Sequence, residues 1–82
     1  MKKEKSFEYC EFGKVIKIRL VELGKSNKWL ADNIGTTQYT IGGYLRGQHK
    51  PEMGMLYKIA SVLQLNFVEL VEILIKEDME AK

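Results

Sequence analysis

The sequence contains only one cysteine, one histidine and one proline among its 82 residues. Cys10 therefore has no internal partner for a disulfide, which fits a protein of a reducing compartment. Since Cys10 and His49 are the only thiol and the only imidazole, we expect neither a metal site nor a Cys–His or Ser–His–Asp catalytic set. This scarcity predicts a protein that is not an enzyme and that holds no metal ion or cofactor.

Long hydrophobic runs are also missing. No stretch of about 18 apolar residues is present, so we expect no membrane span. The first residues, MKKEK, lack the apolar core of a signal peptide, and we therefore expect a cytoplasmic protein. A chain of 82 residues is also too short for a two-domain catalytic cleft or for a doubly wound sheet.

The net charge of +2 hides an uneven distribution along the chain. Residues 13–50 carry seven Lys or Arg against two acidic residues, whereas residues 51–82 carry three Lys against six acidic residues. A basic segment favours polyanions, and an acidic segment repels them. Charge alone leaves two interpretations open, which are polyanion binding by the middle of the chain and ordinary solvation of helix faces.

Hydrophobic spacing and capping residues predict five helices. The first begins at about Glu8 or Phe12 and ends at Leu23. The residues predicted to cap or end the helices are Gly24, Ser26, Gly35, Thr37, Gly47, Pro51 and Asn66. The residues predicted to face the core are Phe12, Ile16, Leu20 and Leu23 in the first helix and Leu56, Ile59, Ala60 and Leu63 in the fourth.

The second and third predicted helices are each about eight residues long and are joined by a tight turn at Gly35, which is the pattern of a helix-turn-helix unit. At 100° per residue, one face of the third helix is apolar and predicted to be buried. That face contains Ile41, Tyr44 and Leu45. The residues predicted to face outward from this helix are Gln38, Tyr39, Gly42 and Gly43.

Residues 26–41, SNKWLADNIGTTQYTI, resemble the helix-turn-helix of the phage-repressor family (Cro and CI-like, or xenobiotic-response-element). The resemblance continues through Gly47, Pro51 and residues 56–63, and it covers about residues 12–71. It implies a compact, all-α, five-helix domain of the lambda-repressor type that binds operator DNA, usually as a dimer. On this basis we expect an N-terminal arm or helix extension at residues 1–11, the DNA-binding domain at 12–75 and an acidic C-terminal tail at 76–82.

The resemblance also implies which residues contact DNA. In the family, the N-terminal end of the third helix enters the major groove and reads bases, while the start of the second helix and the loop after the third hold phosphates. Gln38 and Tyr39 match base-reading positions, and the two glycines can only let the backbone approach closely. The implied DNA-binding residues are Asn27, Lys28, Thr37, Gln38, Tyr39, Gly42, Gly43, Arg46, Gln48, His49 and Lys50.

The sequence departs from the family at an ion pair. Many members carry an arginine late in the first helix and a glutamate before the glycine that ends the third, whereas this chain has Leu20 and Leu45 there. Replacing a whole buried ion pair by apolar residues is often neutral or stabilising. We therefore predict that Leu20 and Leu45 are in contact.

Two classes of function fit these observations. The first is a sequence-specific, double-stranded-DNA-binding transcriptional regulator, a repressor of bacterial or phage type; restriction–modification controllers share its size and build. The alternative is a protein-interaction module of antitoxin or antirepressor type, in which the two adjacent glycines mark lost DNA readout. Neither interpretation needs a small-molecule ligand.

The fifth helix predicts a homodimer. The apolar side chains of residues 67–75 cover an arc of roughly 220°, whereas a helix on a small core needs a stripe only somewhat wider than about 100°. The surplus residues Val68, Ile73 and Ile75 are predicted to form a two-fold interface, with help from an arm around Phe7 and Tyr9. Such a dimer would read a near-palindromic operator.

Overall fold

The computed structural model describes residues 9–80 and contains five α-helices in that range. These are α1 (Glu11–Leu23), α2 (Asn27–Ile34), α3 (Gln38–Arg46), α4 (Met53–Leu63) and α5 (Phe67–Glu80). No strand occurs within residues 9–80, and the predicted all-α, five-helix fold is confirmed. No helix in this part of the chain is long and apolar enough to cross a membrane.

Short polar side chains begin three of the helices as predicted. The Ser26 hydroxyl accepts a hydrogen bond from the Trp29 amide at 3.0 Å, and the Thr37 hydroxyl accepts one from the Thr40 amide at 3.1 Å. The Asn66 side chain accepts one from the Glu69 amide at 2.9 Å. These bonds satisfy backbone donors that have no partner inside the helix.

The helix ends follow the predicted pattern at three positions and differ at two. Gly24, Gly35 and Gly47 adopt left-handed conformations with φ of 70°, 80° and 77°. The end of α4 was not anticipated, because it is formed by Gln64, a non-glycine residue at φ 58°. Residues 76–80 of the expected acidic tail continue α5 as helix.

One hydrophobic core takes side chains from all five helices. The predicted core positions are buried, with the exception of Leu23, which is 37% exposed at the last turn of α1. The prediction that Leu23 is buried was wrong: it lies in the last turn of α1, directly before the left-handed Gly24. The core consists of Phe12, Ile16, Leu20, Leu30, Ala31, Ile34, Ile41, Tyr44, Leu45, Leu56, Ile59, Ala60, Leu63, Leu70 and Leu74.

The start of α1 packs directly against the end of α3. A Cβ added to Gly13 would collide with the backbone carbonyl of Leu45, so only glycine permits this approach. The same carbonyl accepts a hydrogen bond from the Cys10 amide at 2.9 Å. Leu20 and Leu45 are both buried in the core shared by these helices, and their direct contact stays a prediction.

The far end of α5 is fixed to the start of α1. The Glu77 carboxylate accepts a hydrogen bond from the Phe12 amide at 2.9 Å. The Lys76 amine lies 3.8 Å from the Glu11 carboxylate. A carboxylate at a helix N-terminus is favoured by the helix dipole, so this contact helps to keep the last turns of α5 helical and close to the start of α1.

Candidate nucleic-acid interface

The α2–α3 pair is joined by a turn that the backbone itself closes. The amides of Gly35 and Thr36 both donate to the carbonyl of Ala31 at 2.9 Å. The Ala31 side chain is buried beside the turn, where a larger residue would separate the two helices. Because these helices share one buried side, they form a rigid unit that presents the opposite side of α3 to solvent.

The N-terminal end of α3 is open to solvent. Gln38 is exposed and Tyr39 is 80% exposed, as predicted for residues that meet an outside partner. Thr37 is exposed too, but its hydroxyl also contacts the hydroxyl of Thr40 at 3.1 Å while it caps the helix. An amide and a phenol therefore project from the end of α3 that family members insert into DNA.

Gly43 does not lie on this open surface. It is buried, and a Cβ at this position would collide with the imidazole of His49. The same imidazole packs edge-on against the ring of Tyr44, with 5.2 Å between ring centroids. The prediction that Gly43 faces outward was wrong because a side chain from the following loop folds back and covers it.

Gly42 and Arg46 are adjacent on the exposed side of α3. A Cβ at Gly42 would lie 3.3 Å from Nη1 of Arg46, so the guanidinium rests against the bare backbone of Gly42. Nη2 of Arg46 is 3.5 Å from the side-chain oxygen of Gln48. Arg46 is the last residue of α3, and its head group lies on the helix and not in the following loop.

Asn27 and Lys28 lie at the first turn of α2. The Asn27 side-chain oxygen is 3.4 Å from the amine of Lys17 on α1. This contact adds Lys17 to the basic residues near the turn, an addition that sequence spacing did not reveal. The Lys28 amine pairs with Asp32, one turn along α2, at 3.2 Å.

Lys50, in the loop after α3, is paired with the acidic end of α5. Its amine lies 2.9 Å from the carboxylate of Asp78. This hydrogen bond raises the pKa of the Lys50 amine above its ordinary value. Lys50, which was predicted to contact a DNA phosphate, is thus paired with a carboxylate of the same chain.

The outer face of α5 retains exposed apolar side chains. Val68 and Ile75 are 60% and 53% exposed, as predicted, and Met79 is 70% exposed. Met79 was missed because the helix was expected to end near Ile75. Ile73 is half-buried and packs against the core, so its predicted place among the surplus apolar residues was wrong.

The N-terminal arm was predicted to contribute Phe7 and Tyr9 to the dimer interface. Tyr9 is half-buried against the core, and Phe7 lies outside the described residues.

No three His, Cys, Asp or Glu side chains within residues 9–80 are close enough to hold a metal ion.

A comparison with protein-family models finds the helix-turn-helix family, whose model matches residues 15–70. No curated protein and no solved structure gives a significant match. The matched range begins inside α1 and ends in the first half of α5, so it contains α2, the turn at Gly35 and α3 in full.

Proposed function

The chain belongs to the helix-turn-helix family of the phage-repressor (Cro/CI) type, and from this premise we propose that it is a sequence-specific transcriptional repressor of bacterial or phage type. The proposal rests mainly on the exposure of Gln38 and Tyr39 at the free end of α3, a helix whose apolar face is buried. Its ligand is double-stranded DNA. We place its site of action in the cytoplasm, where operator DNA is found.

Base reading is assigned to the first turn of α3. The Gln38 amide offers one donor and one acceptor, which match the N6 and N7 edge of adenine in the major groove. The Tyr39 ring is exposed over most of its surface and can contact a thymine methyl group or accept and donate through its hydroxyl.

Phosphate binding is assigned to the start of α2 and to the loop after α3. The free amides at the α2 N-terminus favour an anion, and Asn27, Lys28 and Lys17 surround that end of the helix. Gln48 and Lys50 are both exposed in the loop after α3. Contacts of this kind fix the position of the protein on the duplex without reading its sequence.

We further propose a two-fold dimer through α5. Val68, Ile75 and Met79 fall within about 40° of one another on the helix, on the side opposite Leu70 and Leu74. An exposed apolar stripe of this kind usually marks an interface. The dimer would place two copies of α3 about 34 Å apart and would select a near-palindromic operator.

Sedimentation at tens of micromolar tests the dimer. We expect a mass near twice the monomer value of 9.5 kDa for the natural protein and near 9.5 kDa for Ile75→Asp. Val21→Asp is the matched control, because Val21 is also exposed but lies on α1. A monomer in the natural protein, or equal effects of the two substitutions, would contradict this interface.

Selection of bound duplexes from a random pool tests the proposed function. We expect one enriched motif with two inverted half-sites. Lys50→Ala should weaken binding to all sequences alike, whereas Gln38→Ala should reduce discrimination at one or two base pairs. A pool without enrichment, together with little binding at low salt, would favour a protein-interaction module instead. The proposal requires no cofactor, metal ion, small-molecule ligand or catalytic activity.

A further inference from the structure

The exposed side of α3 carries Arg46 in addition to Gln38 and Tyr39 of the first turn. At 100° per residue, positions 38, 39, 42 and 46 fall within an arc of about 100°. The buried residues Ile41, Tyr44 and Leu45 occupy a separate arc of about 100°. Arg46 therefore lies on the same side of the helix as the two residues assigned to base reading, although it comes two turns later in the chain.

The Arg46 side chain runs back along the helix toward those residues. Side chains on a helix tilt toward its N-terminus, and position 42 is one turn before position 46. The space that a Cβ of Gly42 would occupy is 3.3, 3.7 and 3.8 Å from Nη1, Nη2 and Cζ of Arg46. Because Gly42 has no side chain, an open space remains beside the helix backbone, and the planar guanidinium lies against it. We call this space the Gly42 seat.

The guanidinium remains available to a ligand in this position. Within residues 9–80 its hydrogen-bond partner is the neutral side chain of Gln48, at a long 3.5 Å. Lys28 and Lys50, by contrast, are paired with carboxylates. Arg46 is thus half-buried, its guanidinium lies against Gly42, and no carboxylate of the described residues forms an ion pair with it.

We propose that Arg46 is a specificity-determining residue that reads guanine in the major groove, and that Gly42 provides the seat that positions it. A guanidinium has five donors in a fixed fork and no acceptor, and this pattern matches the O6 and N7 acceptors of guanine. The proposal rests on the DNA-binding function given above. It gives Gly42 a role in base readout, because the missing side chain at position 42 leaves space for the longer side chain of Arg46.

The test measures the affinity of each variant for the selected duplex and for every single base-pair replacement of it. Arg46→Lys keeps the positive charge but lacks the fork. We expect it to lose about 10-fold or more of the preference for guanine at one base pair of each half-site, with an unchanged dependence of affinity on salt. Gly42→Leu keeps Arg46 but fills the seat, and it should lose the preference at the same base pair.

The double variant Arg46→Lys with Gly42→Leu should lose no more than either single variant, because both changes remove the same contact. Circular dichroism checks that each variant remains helical, and leucine is a better helix former than glycine. Gln38→Ala serves as a specificity control, since it should change the preference at a different base pair.

Two results would overturn the inference while leaving the proposed function in place. One is that the natural protein binds a specific sequence and that Arg46→Lys retains all of its base preferences. The other is a uniform loss of affinity in Arg46→Ala, with a salt slope lower by about 0.9, which marks a phosphate contact. A natural protein that binds no duplex at all would overturn both the inference and the proposed function.

Discussion

The two adjacent glycines of α3 should respond oppositely to alanine, because their surroundings differ. At Gly42 a new Cβ meets only the flexible end of Arg46, at 3.3 Å, and the backbone is helical with negative φ. Alanine removes the helix penalty of glycine, about 0.5–1 kcal/mol, which raises the melting temperature by about 2–8 °C in a domain of this size. Thermal melting followed by circular dichroism measures this shift.

At Gly43 the same gain is opposed by a steric conflict. The Cβ would collide with the His49 imidazole, so the ring must leave its edge-on contact with Tyr44. A contact of this type contributes about 0.5–1.5 kcal/mol. We therefore expect Gly43→Ala to leave the melting temperature unchanged or to lower it by a few degrees.

The double variant Gly43→Ala with His49→Ala separates these effects. With the imidazole removed, Gly43→Ala should raise the melting temperature about as much as Gly42→Ala does. Gly54→Ala is a control, because Gly54 lies in α4 with no atom near its Cβ position. A rise for Gly43→Ala in the natural background equal to that for Gly42→Ala, or a fall for Gly42→Ala, would refute the reasoning.

Three further predictions follow from individual contacts. Leu20→Arg should destabilise the fold by about 3 kcal/mol or more, and Leu45→Glu added to it should recover part of that loss; a thermal-melt cycle in which the two effects simply add would exclude the contact. Asp78→Asn frees the amine of Lys50 and should raise the affinity for duplex DNA up to about 5-fold, mostly at low salt; an unchanged affinity at low salt would contradict this competition. Burial raises the pKa of the Cys10 thiol, so alkylation of Cys10 at pH 8 should be slower in the folded than in the urea-unfolded protein. The stability of the fold should decrease at alkaline pH, because the thiol loses its proton at lower pH in the unfolded chain than in the folded one. Equal alkylation rates would contradict the burial of Cys10.

The fold could be predicted from the sequence because its signals are local. Ser26, Thr37 and Asn66 cap helices through bonds that span three residues, and Gly35 makes a turn that only a flexible residue adopts readily. The buried stripes follow the helical period. The exposed position of Tyr39 followed from the same arithmetic, whereas Gln38 lies between the two faces and was expected to be exposed because it begins the helix.

The contacts that modify the site could not be predicted, because they join residues that are not separated by a helical repeat in the sequence. His49 covers Gly43 from a loop, and Asp78 reaches Lys50 from another helix. The position of the Arg46 head group depends on a rotamer and not on its place in the pattern. The extension of α5 to Glu80 was missed for a different reason, since acidic residues in a charged segment are typical of both a helix surface and a tail.

The measurement that tests DNA binding most directly is a titration of random duplex DNA with the natural protein across several salt concentrations. We expect the logarithm of affinity to fall linearly with the logarithm of salt concentration, with a slope of about −0.9 for each phosphate neutralised. Lys50→Ala should reduce that slope by about one such unit. Binding that is absent at low salt, or that does not depend on salt, would contradict the assignment of α2, α3 and the following loop as a DNA-binding surface.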